Sequence, residues 1–206
     1  MEAVSKLQAR VRGFTKARFV TYVRWPVLVA RAVVGGKVER SAPRTGAGAP
    51  HRGLVAVTHV HLELDGSAMA MMEQPPEDLL VTHPLSRPLW VEIKKSAHTP
   101  PNQAVALGRS NDRCDVVLND YTVSKVHAAL GGDTARGMFR LMDLGSTNGT
   151  IVDGVALEPR QAADVLSGQT VQIGRLVLEI LTPEDFYDDL FGYRAAPRSF
   201  DLELSR

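Results

Sequence analysis

The 206-residue chain is 44% hydrophobic with a net charge of +1, which suits a packed globular core and argues against wholesale disorder. No apolar run approaches the roughly 18 residues of a membrane span, the N-terminus lacks the apolar core of a secretory signal, and a lone cysteine excludes an internal disulfide. A soluble, cytoplasmic protein follows as the expectation, built as one domain with an appendage or as two small domains.

The near-zero net charge hides an asymmetry. Residues 1–52 hold 11 Lys and Arg against two acids, Glu2 and Glu39, whereas the other 154 residues hold 13 bases and 21 acids. Such a split marks regions with different partners, or a basic arm lying on an acidic body. Val4, Leu7, Val11 and Phe14 repeat at helical spacing, with Lys6, Arg10, Arg12, Lys16 and Arg18 on other faces. This predicts a helix over 3–24, weakened at Gly13 and ended by Pro26. "PVLVARAVV" reads as a strand. "GGKVERSAPRTGAGAPHRG", residues 35–53, reads as a flexible loop, and "LVAVTHVHLEL", residues 54–64, has strand composition. "EQPPEDLLVTHPLSRP", residues 73–88, holds four prolines and reads mostly as loop.

From Pro88 the texture changes. "PLWVEIKKS", "AVALGR", "DVVL", "VHAAL", "MFRLMDL", "TIVDGV", "TVQIG" and "LVLEIL" are short apolar runs punctuated by turn residues, with no helix between them. That pattern predicts a mainly β protein whose residues 88–182 form an antiparallel β-sandwich. "LEPRQAADVLSGQTVQIG" reads as a polar loop followed by Leu166, with Ser167-Gly168 then turning into another strand. Residues 1–87 are then a basic N-terminal α/β extension of open role, and residues 183–206 a short C-terminal helix and tail. Pro183-Glu184-Asp185 makes a good helix start, with Phe186, Leu190 and Phe191 on its apolar face and fraying beyond Gly192.

Three polar clusters stand at ends of these strands: Gly108-Arg109, Ser124-Lys125-Val126-His127, and Ser146-Thr147-Asn148-Gly149. The last sits in "LGSTNGT", whose Gly and Asn tolerate positive φ and whose hydroxyls bond nearby backbone, so at minimum it is a tight turn. Loops of a sandwich gather at its two ends, so the three clusters can share one rim. Together they offer a guanidinium, an ammonium, hydroxyls and a carboxamide, a set that suits a dianion such as a phosphate.

The stretch "GRSNDRCDVVLNDYTVSKVHAAL", continued in "LMDLGSTNGTIVDGVAL", resembles a forkhead-associated (FHA) domain, a phosphothreonine-binding β-sandwich. The family's Gly-Arg, Ser-x-x-His and Asn-Gly elements are all present in order, and the likeness runs from about Pro88 to Thr182. The resemblance implies that Arg109 bonds phosphate oxygens and supports the peptide backbone. It gives Ser124 a hydroxyl contact and Lys125 a charge contact to the phosphate, Thr147 a further phosphate-side donor role, and Asn148 the peptide main chain. Gly108 and Gly149 serve loop geometry, and His127 braces the binding loops from below. Lys125 stands where the family most often has Arg, which keeps the charge and loses the planar fork.

The resemblance thus implies a non-catalytic signalling adaptor that docks onto a threonine-phosphorylated protein, a Ser/Thr kinase or its substrate, with no cofactor and no small-molecule substrate. Ser124 and His127 lack the G-x-S-x-G elbow of a nucleophile. His59 and His61, even with His83 and His98, complete no recognisable ligand spacing, so no metal is expected. Cys114 reads as a strand residue without a redox task. The alternatives are a phosphate-independent assembly module, or a nucleic-acid or membrane adaptor acting through the basic residues 1–52.

Overall fold

The computed structural model describes residues 1–35, 81–97, 99–133 and 136–193. The strand-like run at 54–64, most of the loop expected at 35–53, the tail from residue 194, and His59, His61 and His98 lie outside the described residues. The elements run β1 (Glu2–Ala3), α1 (Val4–Arg10), α2 (Lys16–Tyr22), β2 (Val27–Gly35), β3 (Val81–Glu92), β4 (Val105–Gly108), β5 (Val116–Val117) and β6 (Ala128–Asp133). They continue with β7 (Met138–Asp143), β8 (Thr150–Val152), β9 (Val155–Ala156), β10 (Ala162–Leu166), β11 (Thr170–Ile173), β12 (Leu176–Leu181) and α3 (Pro183–Leu190).

Two sheets face each other. One has seven strands in the order β1-β3-β2-β12-β11-β8-β9, the other five in the order β10-β7-β6-β4-β5. All pairs are antiparallel except β4 with β5. Their inner faces share one core that includes Leu28, Leu178 and Ile180 from one sheet and Leu107, Leu130, Phe139, Leu141 and Val165 from the other. Period-two alternation makes this possible: in β7, Phe139, Leu141 and Asp143 are buried while Met138 and Arg140 are exposed. β12 is buried along its whole length because both its faces are covered.

The second cover is helical. Leu7, Val11, Phe19, Val23, Phe186 and Leu190 pack with Val27, Val29, Trp90 and Leu181 on the outer face of the larger sheet. Part of the basic N-terminal charge is met there by the acidic α3 and by Glu179 of β12. Lys16 Nζ lies 2.6 Å from Asp188, and Arg31 reaches Glu179 at 2.9 Å and Asp189 at 2.7 Å. The α3 start follows its sequence signature, with Pro183 at the first turn and the Thr182 hydroxyl accepting from the Asp185 N–H.

Four expectations about the elements and their boundaries need correction. The single helix over 3–24 is two helices, because Gly13 takes φ 85° and the Thr15 hydroxyl then caps a new start by accepting from Arg18 N–H. The proline-rich residues 81–88 are strand rather than loop. β1 reaches only Leu89 and Trp90, so the earlier part of β3 is an edge, and Pro88 falls in a register shift between the Leu89 and Pro84 pairings. The boundary expected at residue 88 therefore falls inside β3, and β2, from the N-terminal segment, is hydrogen-bonded between β3 and β12. Residues 162–165, expected as loop, together with Leu166 pair residue for residue with β7, and only Val165 of this edge strand is fully buried.

Candidate functional site

Loops from both sheets meet at one end of the sandwich. The backbone N–H of Arg109 donates to Ser124 O (2.9 Å), Ser110 N–H to Lys125 O (3.0 Å), and His127 N–H to Leu107 O (2.8 Å). The turn after β4 is thereby tied to the 118–127 loop. Their approach depends on Gly108, where a Cβ would stand 2.5 Å from Lys125 O and 2.8 Å from Cys114 Sγ. The loop between β7 and β8 closes the rim: Thr147 N–H donates to Ser124 Oγ (3.0 Å), with the two hydroxyl oxygens 3.4 Å apart.

All five residues expected to bind thus lie on this rim or on the loops that form it. Arg109 is exposed, and among the described residues only its Nε is engaged, donating to Val123 O at 3.2 Å. Lys125 is exposed, and its ammonium has no hydrogen-bond or ion-pair partner among the described residues. Ser124 and Asn148 are half-buried and Thr147 exposed. Asn148 Nδ2 donates to Thr122 O (2.7 Å), which leaves its carbonyl oxygen and second N–H available.

The expected bracing residues lie below. His127 is 0% exposed. Its Nδ1 accepts the Ser124 N–H (3.0 Å), so that nitrogen carries no proton, and Nε2 then donates to Gly149 O (3.0 Å). One neutral ring therefore joins two loops. Gly149 has φ 76°, the left-handed conformation its turn requires.

Sequence reasoning passed over two carboxylates. Asp143, 0% exposed, accepts from Gly145 N–H and Ser146 N–H (both 2.8 Å) and from the hydroxyls of Ser146 (2.6 Å) and Thr150 (2.7 Å). Burial pushes its pKa up, but these bonds outweigh burial and hold it below the ordinary carboxylate value. The local signal was an Asp two residues before Gly145 and three before Ser146, the chemistry of an Asx turn. Asp120, paired with Arg175 at 2.8 Å, had no such signal, its partner lying 55 positions away. Cys114 sits in the loop before β5 rather than in a strand. Its thiol donates to Lys125 O (3.1 Å), and burial pushes its pKa up, so it packs rather than reacts.

A family profile described as the FHA domain matches residues 105–174, the stretch that contains the whole rim. Residues 105–174 are thus an FHA domain. It is similar to the glycogen accumulation regulator GarA of Mycobacterium tuberculosis, 36% identical over 89 residues, which are 43% of this chain and 52% of the relative. GarA of Mycolicibacterium smegmatis is 41% identical over 78 residues, 36% of this chain and 44% of the relative. The chain spans about half the length of the curated relatives it matches. Among solved structures, the FHA domain of the CT664 protein from Chlamydia trachomatis is 22% identical with a TM-score of 0.38, over 45% of this chain and 84% of that one.

Proposed function

We propose that this FHA domain is a non-catalytic reader that docks onto proteins phosphorylated on threonine, the partner being a Ser/Thr kinase or one of its substrates. The observation that carries the reading is the convergence of Arg109, Ser124, Lys125, Thr147 and Asn148 on one end of the sandwich, with both cations exposed. A phosphate dianion there meets a guanidinium whose terminal nitrogens are uncommitted, an ammonium, and hydroxyl and amide donors on two loops. Charge-assisted bonds of this kind are about twice as strong as neutral ones. The peptide main chain falls to Asn148, whose bond to Thr122 O engages one amide N–H and leaves Oδ1 as an acceptor. Binding depends on phosphorylation because only the dianion compensates Arg109 and Lys125 for the water they lose.

The test is calorimetry of the full chain against phosphothreonine, phosphoserine and unphosphorylated peptide pools. Heat is expected with phosphothreonine, and Arg109→Ala is expected to cost about 2–5 kcal/mol of binding, the range for removing one side of a buried charged pair. No phosphate-dependent heat with any pool, or an Arg109→Ala loss smaller than about tenfold in affinity, would remove the reading.

A further inference from the structure

Beneath Asn148 lies a polar network that uses none of the residues assigned to the phosphate. Asp120 and Arg175 are 6% and 7% exposed. Arg175 Nε donates to Asp120 Oδ2 (2.8 Å), and Nη2 lies 2.8 Å from the same oxygen. The other carboxylate oxygen accepts from Thr122 N–H (2.9 Å) and from the Thr122 hydroxyl (2.7 Å). That hydroxyl accepts the Arg175 backbone N–H (3.0 Å), and the Thr122 carbonyl accepts Asn148 Nδ2. Arg175 O accepts Val34 N–H (2.8 Å), so the path continues to the end of β2. The turn between β11 and β12 lies so close that a Cβ on Gly174, at φ +60°, would stand 2.7 Å from both Thr122 oxygens.

We propose that Arg175 is a positioning residue for peptide recognition: its ion pair with Asp120 locks Thr122, whose carbonyl sets the orientation of the Asn148 amide. The inference rests on the reading function proposed above. The final torsion of an Asn side chain is broad, and its two ends differ only by what they bond. Among the described residues the Asn148 amide is directed by one bond, to Thr122 O, so its orientation is as firm as that carbonyl. Thr122 in turn is held at its N–H and hydroxyl by the carboxylate that Arg175 neutralises. Arg175 is too buried to be another phosphate ligand. Its effect on a peptide is transmitted through Asn148.

The experiment compares the full-length wild type with Arg175→Met and Thr122→Val, the second in case the first leaves Asp120 too poorly compensated to fold. Melting curves establish that each is folded. The side-chain amide resonances of Asn148 are recorded by 15N NMR without ligand, and affinity is measured for a phosphothreonine peptide drawn from the pool. The amide pair is expected to move toward unstructured values, and affinity to fall about tenfold with no further loss on the Asn148→Ala background, the signature of residues acting as one unit. Arg175→Lys, which keeps a cation opposite Asp120, is expected to restore part of the affinity. Unchanged amide resonances in a folded variant, or a loss repeated in full on the Asn148→Ala background, would overturn the proposal. A wild type that binds no phosphothreonine peptide sinks the reading function instead, and the amide resonances alone then decide: moved in the variants, the lock stands; unmoved, it falls.

Discussion

Two buried carboxylates hold the two loops of the site, by opposite means. Asp143 takes four hydrogen bonds, all from donors within seven residues of itself. Asp120 takes two from Thr122 and leans for the rest on a guanidinium from a distant turn. Both loops must present hydroxyls and amides outward, so each needs an acceptor inside to hold its own backbone. Where the chain supplies enough local donors, a carboxylate stays ionised in the interior without a bonded cation, and the loop keeps its shape by itself. Where donors are few, the charge needs a cation, and the loop is shaped only when the β11–β12 turn docks.

The strongest way to break this comparison is to remove the self-contained anchor. Asp143→Ala deletes the carboxylate that accepts four of that loop's bonds and strands the buried donors of Ser146 and Thr150, an expected loss of about 3–5 kcal/mol of global stability in urea unfolding. A loss below about 1 kcal/mol would mean that the turn backbone holds the loop without its carboxylate. Acid probes the same anchor more gently. Because the folded pKa of Asp143 is depressed, its contribution is complete above the ordinary carboxylate value near about 4 and is lost as pH falls through the lower folded value. The melting temperature should therefore fall on acidification in that window, and Asp143→Asn, which cannot titrate, should show a shallower fall. Asp115 is also held low: the Thr99 hydroxyl and the Ser96 and Ala106 amides outweigh burial there, so part of the slope remains. Parallel slopes in wild type and variant would assign the acid limb to other groups.

The same contrast separates what the sequence makes legible from what it hides. The 144–149 turn could be read from Gly-Ser-Thr-Asn-Gly because the bonds that Asp143 accepts from it are local, and so could the strands around it, whose apolar residues alternate or run continuously. The sandwich, the C-terminal helix and the meeting of Arg109, Ser124 and Thr147 followed from such local patterns. Asp120 with Arg175 could not be found that way, because nothing in either segment names a partner 55 positions away. β10 was hidden for another reason, since an edge strand with one fully buried residue carries almost no periodicity. β3 was hidden by its prolines, which forbid a central strand and are tolerated where no neighbour needs their N–H. The pairing of β2 with β12 is what draws residues 27–35 into the sandwich, with β3 added outside it, a long-range fact that composition presents as a basic extension.

His127 offers the smallest expected effect and the sharpest question, because it is the ring that joins the two loops. Its Nδ1 holds the Ser124 amide on one side and its Nε2 holds Gly149 O on the other. His127→Ala leaves both groups without those bonds in a space closed to solvent, at an expected cost of about 1–3 kcal/mol and a lower melting temperature. The donors facing the phosphate remain on the chain, so affinity should fall only to the extent that the loops lose register. If the loops are coupled through the ring, adding His127→Ala to a destabilised Asp143→Asn protein should cost less than it does in the wild type, since a slack loop has less alignment to lose. Equal costs would mean that each loop is held by its own carboxylate and that the histidine fills space between them. Unchanged melting with abolished binding would instead bring His127 out of the scaffold and into contact with the peptide.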